Sequence, residues 1–341
     1  MEAPDSQWVP THELNDARSA FGISSLMDGR VLVTGGRKAN GDQIATAEIY
    51  DPATGVWTTT GDMAFGRSLH TQTLLDNGKV LVTGGAVPAE IYDPSTGTWQ
   101  LTGSMIDTRF VGHTATLLND GRVLVTLGLG SSGAEIYDPT TNSWHATRSP
   151  KTSRFFHTAT LLSGGDVLIA GGYGARNKSV ATAEVFHPAT QRWSTTGKMV
   201  TARAFHTATL LENEKVLLVG GTDDSGSNHG GLNLAELYDP ATQTTCVTGS
   251  LNTGRYVHTA TLLLSGQVLV AAGALDNHFR TTATAELFDP ATEMWSQTAG
   301  LSQARGSHAA ILLSDGSVMA AGGDSGFPDS LILSSSEIFL P

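Results

Sequence analysis

A Gly-Gly pair closing a short apolar run recurs at Gly35-Gly36, Gly84-Gly85, Gly171-Gly172, Gly220-Gly221 and Gly322-Gly323, with degenerate copies at Leu127-Gly128 and Ala272-Gly273. Counted from the first residue of each pair, the seven units lie 49, 43, 44, 49, 52 and 50 residues apart. A repeat of this length, holding several strand-like runs, marks a radial β-architecture in which each unit buries its faces only against its neighbours. That regularity overrides the two domains that 341 residues would otherwise suggest.

The fifth unit shows the pattern. The run from His206 to Leu211 is rich in β-branched and apolar residues and reads as a first strand. A turn at Glu212-Asn213-Glu214 leads to a short apolar strand, Val216 to Val219, ended by Gly220-Gly221. A third strand, Ala235 to Tyr238, stops at Asp239-Pro240, because proline cannot donate to a ladder. Other units place Asp28-Gly29, Asn77-Gly78, Asp120-Gly121 or Asp315-Gly316 at the first turn, where a tight hairpin demands positive φ. In most units a Trp opens a fourth strand (Trp57, Trp99, Trp144, Trp193, Trp295), and this regular placement predicts packing between neighbouring sheets.

The ends of the chain fit a closed ring. The last unit stops after its third strand, Ser336 to Phe339, whereas Trp8 to Thr11 looks like an isolated fourth strand. Pairing the two would complete the seventh sheet and cover its edge.

The Gly-Gly pair, the Tyr-Asp-Pro element (Tyr50-Asp51-Pro52, Tyr92-Asp93-Pro94, Tyr137-Asp138-Pro139) and the Trp that follows together resemble the kelch repeat, from Trp8 to Pro341. The resemblance implies an all-β, seven-bladed kelch β-propeller of four-stranded antiparallel blades. It would form one domain over residues 8–341, closed by the N-terminal strand, with residues 1–7 as a tail. The blade count is similar to that of galactose oxidase. Kelch propellers include enzymes, partner-binding modules and carbohydrate-active proteins, so the resemblance leaves function open. A copper radical centre of the galactose oxidase kind would need a Cys–Tyr thioether near the axis. The single cysteine, Cys246, falls in an outer fourth strand, so that activity is not expected and no cofactor is assigned. Kelch-like sialic acid mutarotases usually have six blades, and no residue set carries across from them.

Composition excludes several classes. The net charge of −12 repels nucleic-acid phosphates and anionic membranes, so no nucleic-acid partner is expected. One cysteine rules out an intramolecular disulfide or a cysteine zinc cluster, and Cys246 reads as a packed bystander. No apolar run reaches the roughly 18 residues of a membrane span. The start, MEAPDSQWVP, lacks the basic and apolar regions of a secretory signal. The chain as written is expected in the cytoplasm, or exported if a leader has been trimmed, and a monomer is expected.

In a four-stranded blade, the turns joining strands 1–2 and 3–4 lie on one face of the disc. The other face carries the 2–3 loops and the links between blades. Between the second Gly position and a recurring Glu, the 2–3 loops contain 11, 4, 6, 11, 14, 12 and 13 residues. Blades 2 and 3 thus form a low wall and blades 4 to 7 and 1 a tall one, which predicts a crevice over the central channel.

Every unit places an Arg ahead of its first strand: Arg18, Arg67, Arg109, Arg154, Arg203, Arg255 and Arg305. Encircling the channel mouth, these would trap an anion through two-pronged hydrogen bonding. Every unit also carries a Glu at its third strand (Glu48, Glu90, Glu135, Glu184, Glu236, Glu286, Glu337), so the alternative is Arg–Glu pairing, which cancels the repulsion of a cationic ring. Six units place a His at the start of strand 1 (His70, His113, His157, His206, His258, His308), replaced by Phe21 in the first, which reads as a packing position.

The functional expectation is a binding module for a small acidic or carbohydrate ligand, or an acidic peptide. The arginine ring would anchor charge, and Tyr173, Asp224, His229, His278 and Phe327 of the tall loops would complete the pocket. The alternative is an isomerase, lyase or metal-assisted enzyme in the same pocket, with Asp224, His229 and His278 as acid–base groups. The Asp223, Asp224, His229, Asp276 and His278 cluster matches no defined metal-site spacing, and no metal is assigned.

Overall fold

Each apolar run that ends at a Gly-Gly position is the second strand of a four-stranded antiparallel sheet. Seven such sheets surround a common axis. The computed structural model describes residues 6–85, 88–108, 111–223 and 230–341. Blade 5 comprises Thr207–Leu210, Val216–Val219, Ala235–Asp239 and Thr244–Val247, and the other blades repeat this meander. Among the described residues the only helical element is a single 3-10 turn at Ala175–Asn177.

The second strands are buried on both faces along their whole length, so their sequences (VLVT, VLIA, VLLV) show no polar alternation. Their side chains form the cores between blades. Leu217 and Val219 of blade 5, for example, pack with Val268, Val270 and Phe288 of blade 6. The Trp of the fourth strand lies against the aromatic residue of the third, as in Tyr92–Trp99 with ring centres 5.0 Å apart. The Trp99 indole Nε1 donates to the Gly61 carbonyl, 2.7 Å away in the link that leaves blade 1, tying blades 1 and 2 together.

At the Gly-Gly pair two blades press closely together. Gly171 sits at φ +63°, and a Cβ there would stand 2.5 Å from the Arg203 carbonyl and 2.6 Å from Cε1 of His206 in the next blade. Gly172 faces its own blade, where a Cβ would stand 2.9 Å from that of His157, while its amide donates to Arg203 O at 2.8 Å. Both the backbone angle and the space therefore call for glycine. The degenerate units keep the angle without it, at φ +56° for Leu127 and +58° for Ala272.

The ring closes through the N-terminal strand. Gln7–Thr11 pairs antiparallel with Ser336–Leu340, with Trp8 opposite Phe339 and their ring centres 5.2 Å apart. The innermost strands of blades 1 and 7, Gly22–Ser25 and Ala309–Leu312, are neighbours. One expectation is corrected: Cys246 is exposed, because three of the four residues of its outer strand face solvent.

Candidate functional site

The six described arginines of the ring are fully buried and paired with the glutamates of their own units. Arg18–Glu48 is 2.6 Å, Arg154–Glu184 2.8 Å, Arg203–Glu236 2.5 Å, Arg255–Glu286 2.7 Å and Arg305–Glu337 2.8 Å, and Arg67 pairs with Glu90. The second terminal nitrogen is committed to backbone carbonyls. Arg203 Nη1 donates to the Gly220 and Leu234 carbonyls at 2.8 and 2.9 Å. The carboxylate accepts in turn from the backbone of the link entering its blade, as Glu236 does from Val200 and Thr201 at 2.6 and 3.0 Å. Burial lowers each guanidinium's pKa, and the paired carboxylate opposes that shift. Of the two readings of the ring, pairing describes these six groups: their forks point into the protein and away from the channel. Arg109 lies outside the described residues.

The histidines line the layer beneath. His157, His206, His258 and His308 each meet, through Nε2, a threonine hydroxyl of the preceding blade at 3.0–3.1 Å. Burial and the neighbouring arginines hold them neutral, with His70 and His258 pushed down to about 3.

The channel mouth is built instead by the residue two or three places after each ring arginine. Ala20, Leu69, Gly112, Phe156, Phe205, Val257 and Ser307 all adopt left-handed backbone, with φ between +45° and +69°. Bulky residues rarely adopt this conformation. A belt of interblade hydrogen bonds holds it: Phe156 N donates to Gly112 O, Phe205 to Phe156, Val257 to Phe205, Ser307 to Val257, Ala20 to Ser307 and Leu69 to Ala20, at 2.8–3.3 Å. The belt turns Ala20, Leu69, Phe156, Phe205, Val257 and Ser307 onto a cavity of about 660 Å³ over the axis.

One side of that cavity is aromatic. Phe156 and Phe205 have ring centres 4.1 Å apart, Phe205 and Tyr256 6.3 Å, and Tyr256 and Phe279 6.2 Å, giving a continuous wall across blades 4 to 6. The Tyr256 hydroxyl donates to the Asp276 carbonyl at 2.8 Å, and burial pushes its pKa up to about 12. The other side is polar, with Arg37, Ser19, Ser68, Ser307, Asp324 and Ser330. The tall loops of blades 1, 4, 5, 6 and 7 are each tied to their incoming link by a β-bridge, such as Ser19–Arg37 and Gly306–Asp324. Among the described residues blades 2 and 3 make none, so the mouth is walled on one side.

The sequence-assigned loop residues are dispersed. Tyr173 backs the aromatic wall, 5.8 Å ring to ring from Phe205. His278 and Phe327 are exposed and do not line the cavity. Asp224 and His229 lie outside the described residues. Asp276, part of the acidic–histidine cluster, is engaged by Arg280 at 2.5 Å. Sequence reasoning missed Arg37, Phe156, Phe205, Tyr256, Phe279 and Asp324. Two of the repeat positions that supply them, after the ring arginine and directly after the Gly-Gly pair, vary in chemistry while their flanks stay constant, and that variation was the available signal.

A sequence model of the Kelch motif matches residues 24–64 and 154–200, within a ring of seven four-stranded blades. The chain is a kelch-repeat β-propeller. No curated protein sequence matches it. Among solved structures, this kelch propeller is similar to a novel fungal alcohol oxidase with catalytic diversity among the AA5 family, in complex with copper. The TM-score is 0.83 at 18% identity, covering 98% of this chain and 76% of that one. At that identity the likeness is one of fold, and the fold serves binding modules and enzymes alike. The donor set here does not fit a thioether copper centre, because the chain's single cysteine is exposed on an outer strand. Among the described residues, no group of three or more His, Cys, Asp or Glu side chains could hold a metal ion. Nor is any helix among them long and apolar enough to cross a membrane.

Proposed function

We propose that this propeller is a carbohydrate-binding module whose ligand lies over the channel mouth. The observation that carries the reading is the aromatic wall of Phe156, Phe205, Tyr256 and Phe279, opposed across one cavity by serines, Arg37 and Asp324. A sugar ring presents a C–H face that packs on aromatic rings and an equatorial rim of hydroxyls that needs donors and acceptors. A wall and a rim of these two kinds suit both. The volume falls within the range of roughly 300–1,000 Å³ common to small-ligand sites. The belt fixes the wall by backbone hydrogen bonds, so little ordering cost accompanies binding. The buried arginines frame this site, and Tyr173 supports its wall. His278 and Phe327 stand at the outer rim, where a longer oligosaccharide would leave the pocket.

The test is a glycan-array screen followed by calorimetry on Phe205→Ala. Binding to at least one oligosaccharide class is expected, weakened about tenfold by the loss of one stacking ring. The thermal unfolding midpoint should change little, because Phe205 is only part-buried. Absence of binding to any glycan, or affinity unchanged in both Phe205→Ala and Phe156→Ala, would overturn the reading.

A further inference from the structure

Arg37 directly follows the Gly35-Gly36 pair. The corresponding residues of the other described units are Leu129, Tyr173, Thr222, Ala274 and Asp324, so blade 1 alone among them carries a cation here. Its backbone is fixed on both sides, bridged to Ser19 and to Gln43. Its side chain is exposed at the cavity, with no ion pair or side-chain hydrogen bond among the described residues. The adjacent Lys38, by contrast, is consumed by Asp16 at 2.9 Å. His258 and His308, which also line the cavity, are held neutral by burial, so they add no positive charge. Asp324 stands on the neighbouring blade 7, its Oδ1 accepting from Gly326 N at 2.8 Å, without an ion pair to Arg37.

We infer that Arg37 receives a carboxylate, and that the site takes uronate-bearing oligosaccharides in preference to their neutral counterparts. This rests on the carbohydrate reading and narrows it. A guanidinium presents two parallel N–H donors to a carboxylate, the geometry for which arginine surpasses lysine. The chain's net charge of −12 opposes the approach of an anion, so a local cation is what would make an acidic sugar acceptable. The fixed backbone presents the fork from blade 1, opposite the aromatic wall of blades 4 to 6. The sugar ring would lie on Phe205 with its acid group directed across the mouth. Asp324 would accept from a hydroxyl and repel a second carboxylate placed beside blade 7.

The experiment compares galacturonate, glucuronate and mannuronate oligosaccharides with their methyl esters, which keep the ring and remove the charge. Calorimetry would use wild type, Arg37→Met and Arg37→Lys. An acid should bind at least tenfold tighter than its ester, with a preference that weakens as salt rises. Arg37→Met should erase the difference between acid and ester, and Arg37→Lys should restore part of it. Equal affinity for acid and ester, binding confined to neutral glycans, or a preference that survives Arg37→Met would overturn the carboxylate assignment and leave the carbohydrate reading standing. If no glycan of either kind binds, both fall.

Discussion

His70, His157, His206, His258 and His308 are all buried, and burial together with the adjacent arginines keeps them neutral far below the ordinary histidine range. In the unfolded chain they protonate near pH 6.5. The unfolded state therefore binds more protons as pH falls, and stability is fully present above that value and lost below it. Five such groups should lower the unfolding free energy by roughly 6 kcal/mol between pH 6 and pH 5. Urea titrations at stepped pH would measure this. His206→Phe, imitating Phe21 of the first unit, should shallow the slope by about one proton, and an unaltered slope would contradict the assignment. The sequence made the packing role legible through that Phe substitution. It could not reveal which threonine each imidazole meets, since that partner belongs to another blade.

At the scale of the structural element, the Arg–Glu pair staples an incoming link to a third strand. Repulsion among seven like charges foretold pairing, and the buried ion pairs agree. The mouth residues were less legible: the links do arrive at the variable face, but each of the six described arginine side chains turns inward. Backbone twisted to positive φ brings up Phe156, Phe205 and their equivalents in its place. No periodicity of apolar residues encodes that twist, because interblade hydrogen bonds impose it. Glu236→Gln should leave Arg203 charged and uncompensated, costing about 3 kcal/mol in denaturant titrations. Ligand affinity of the folded protein should be unchanged, because Arg203 does not face the cavity. A loss of affinity without loss of stability would return the ring to a ligand role.

Over the whole molecule, closure depends on five residues from one end of the chain completing a sheet made by the other. Isolated strand character at Trp8 and the missing fourth strand of the last unit made this readable in the sequence. Trp8 also ties across the blade boundary, its Nε1 donating to the Ala299 carbonyl at 2.9 Å. Trp8→Ala should cost about 3 kcal/mol. Deleting residues 1–11 should expose the Ser336–Leu340 edge and give concentration-dependent self-association by light scattering. A truncated chain that stays monomeric with an unchanged midpoint would show that the ring does not need this strand.

The most direct measurement is a crystal structure of the protein soaked with the tightest-binding oligosaccharide from the array. Electron density for a sugar ring stacked on Phe156, Phe205 and Tyr256, with an acidic group within hydrogen-bonding distance of Arg37, is the predicted result. Density on the opposite face of the disc, or on the outer strands with the mouth left to solvent, would contradict it.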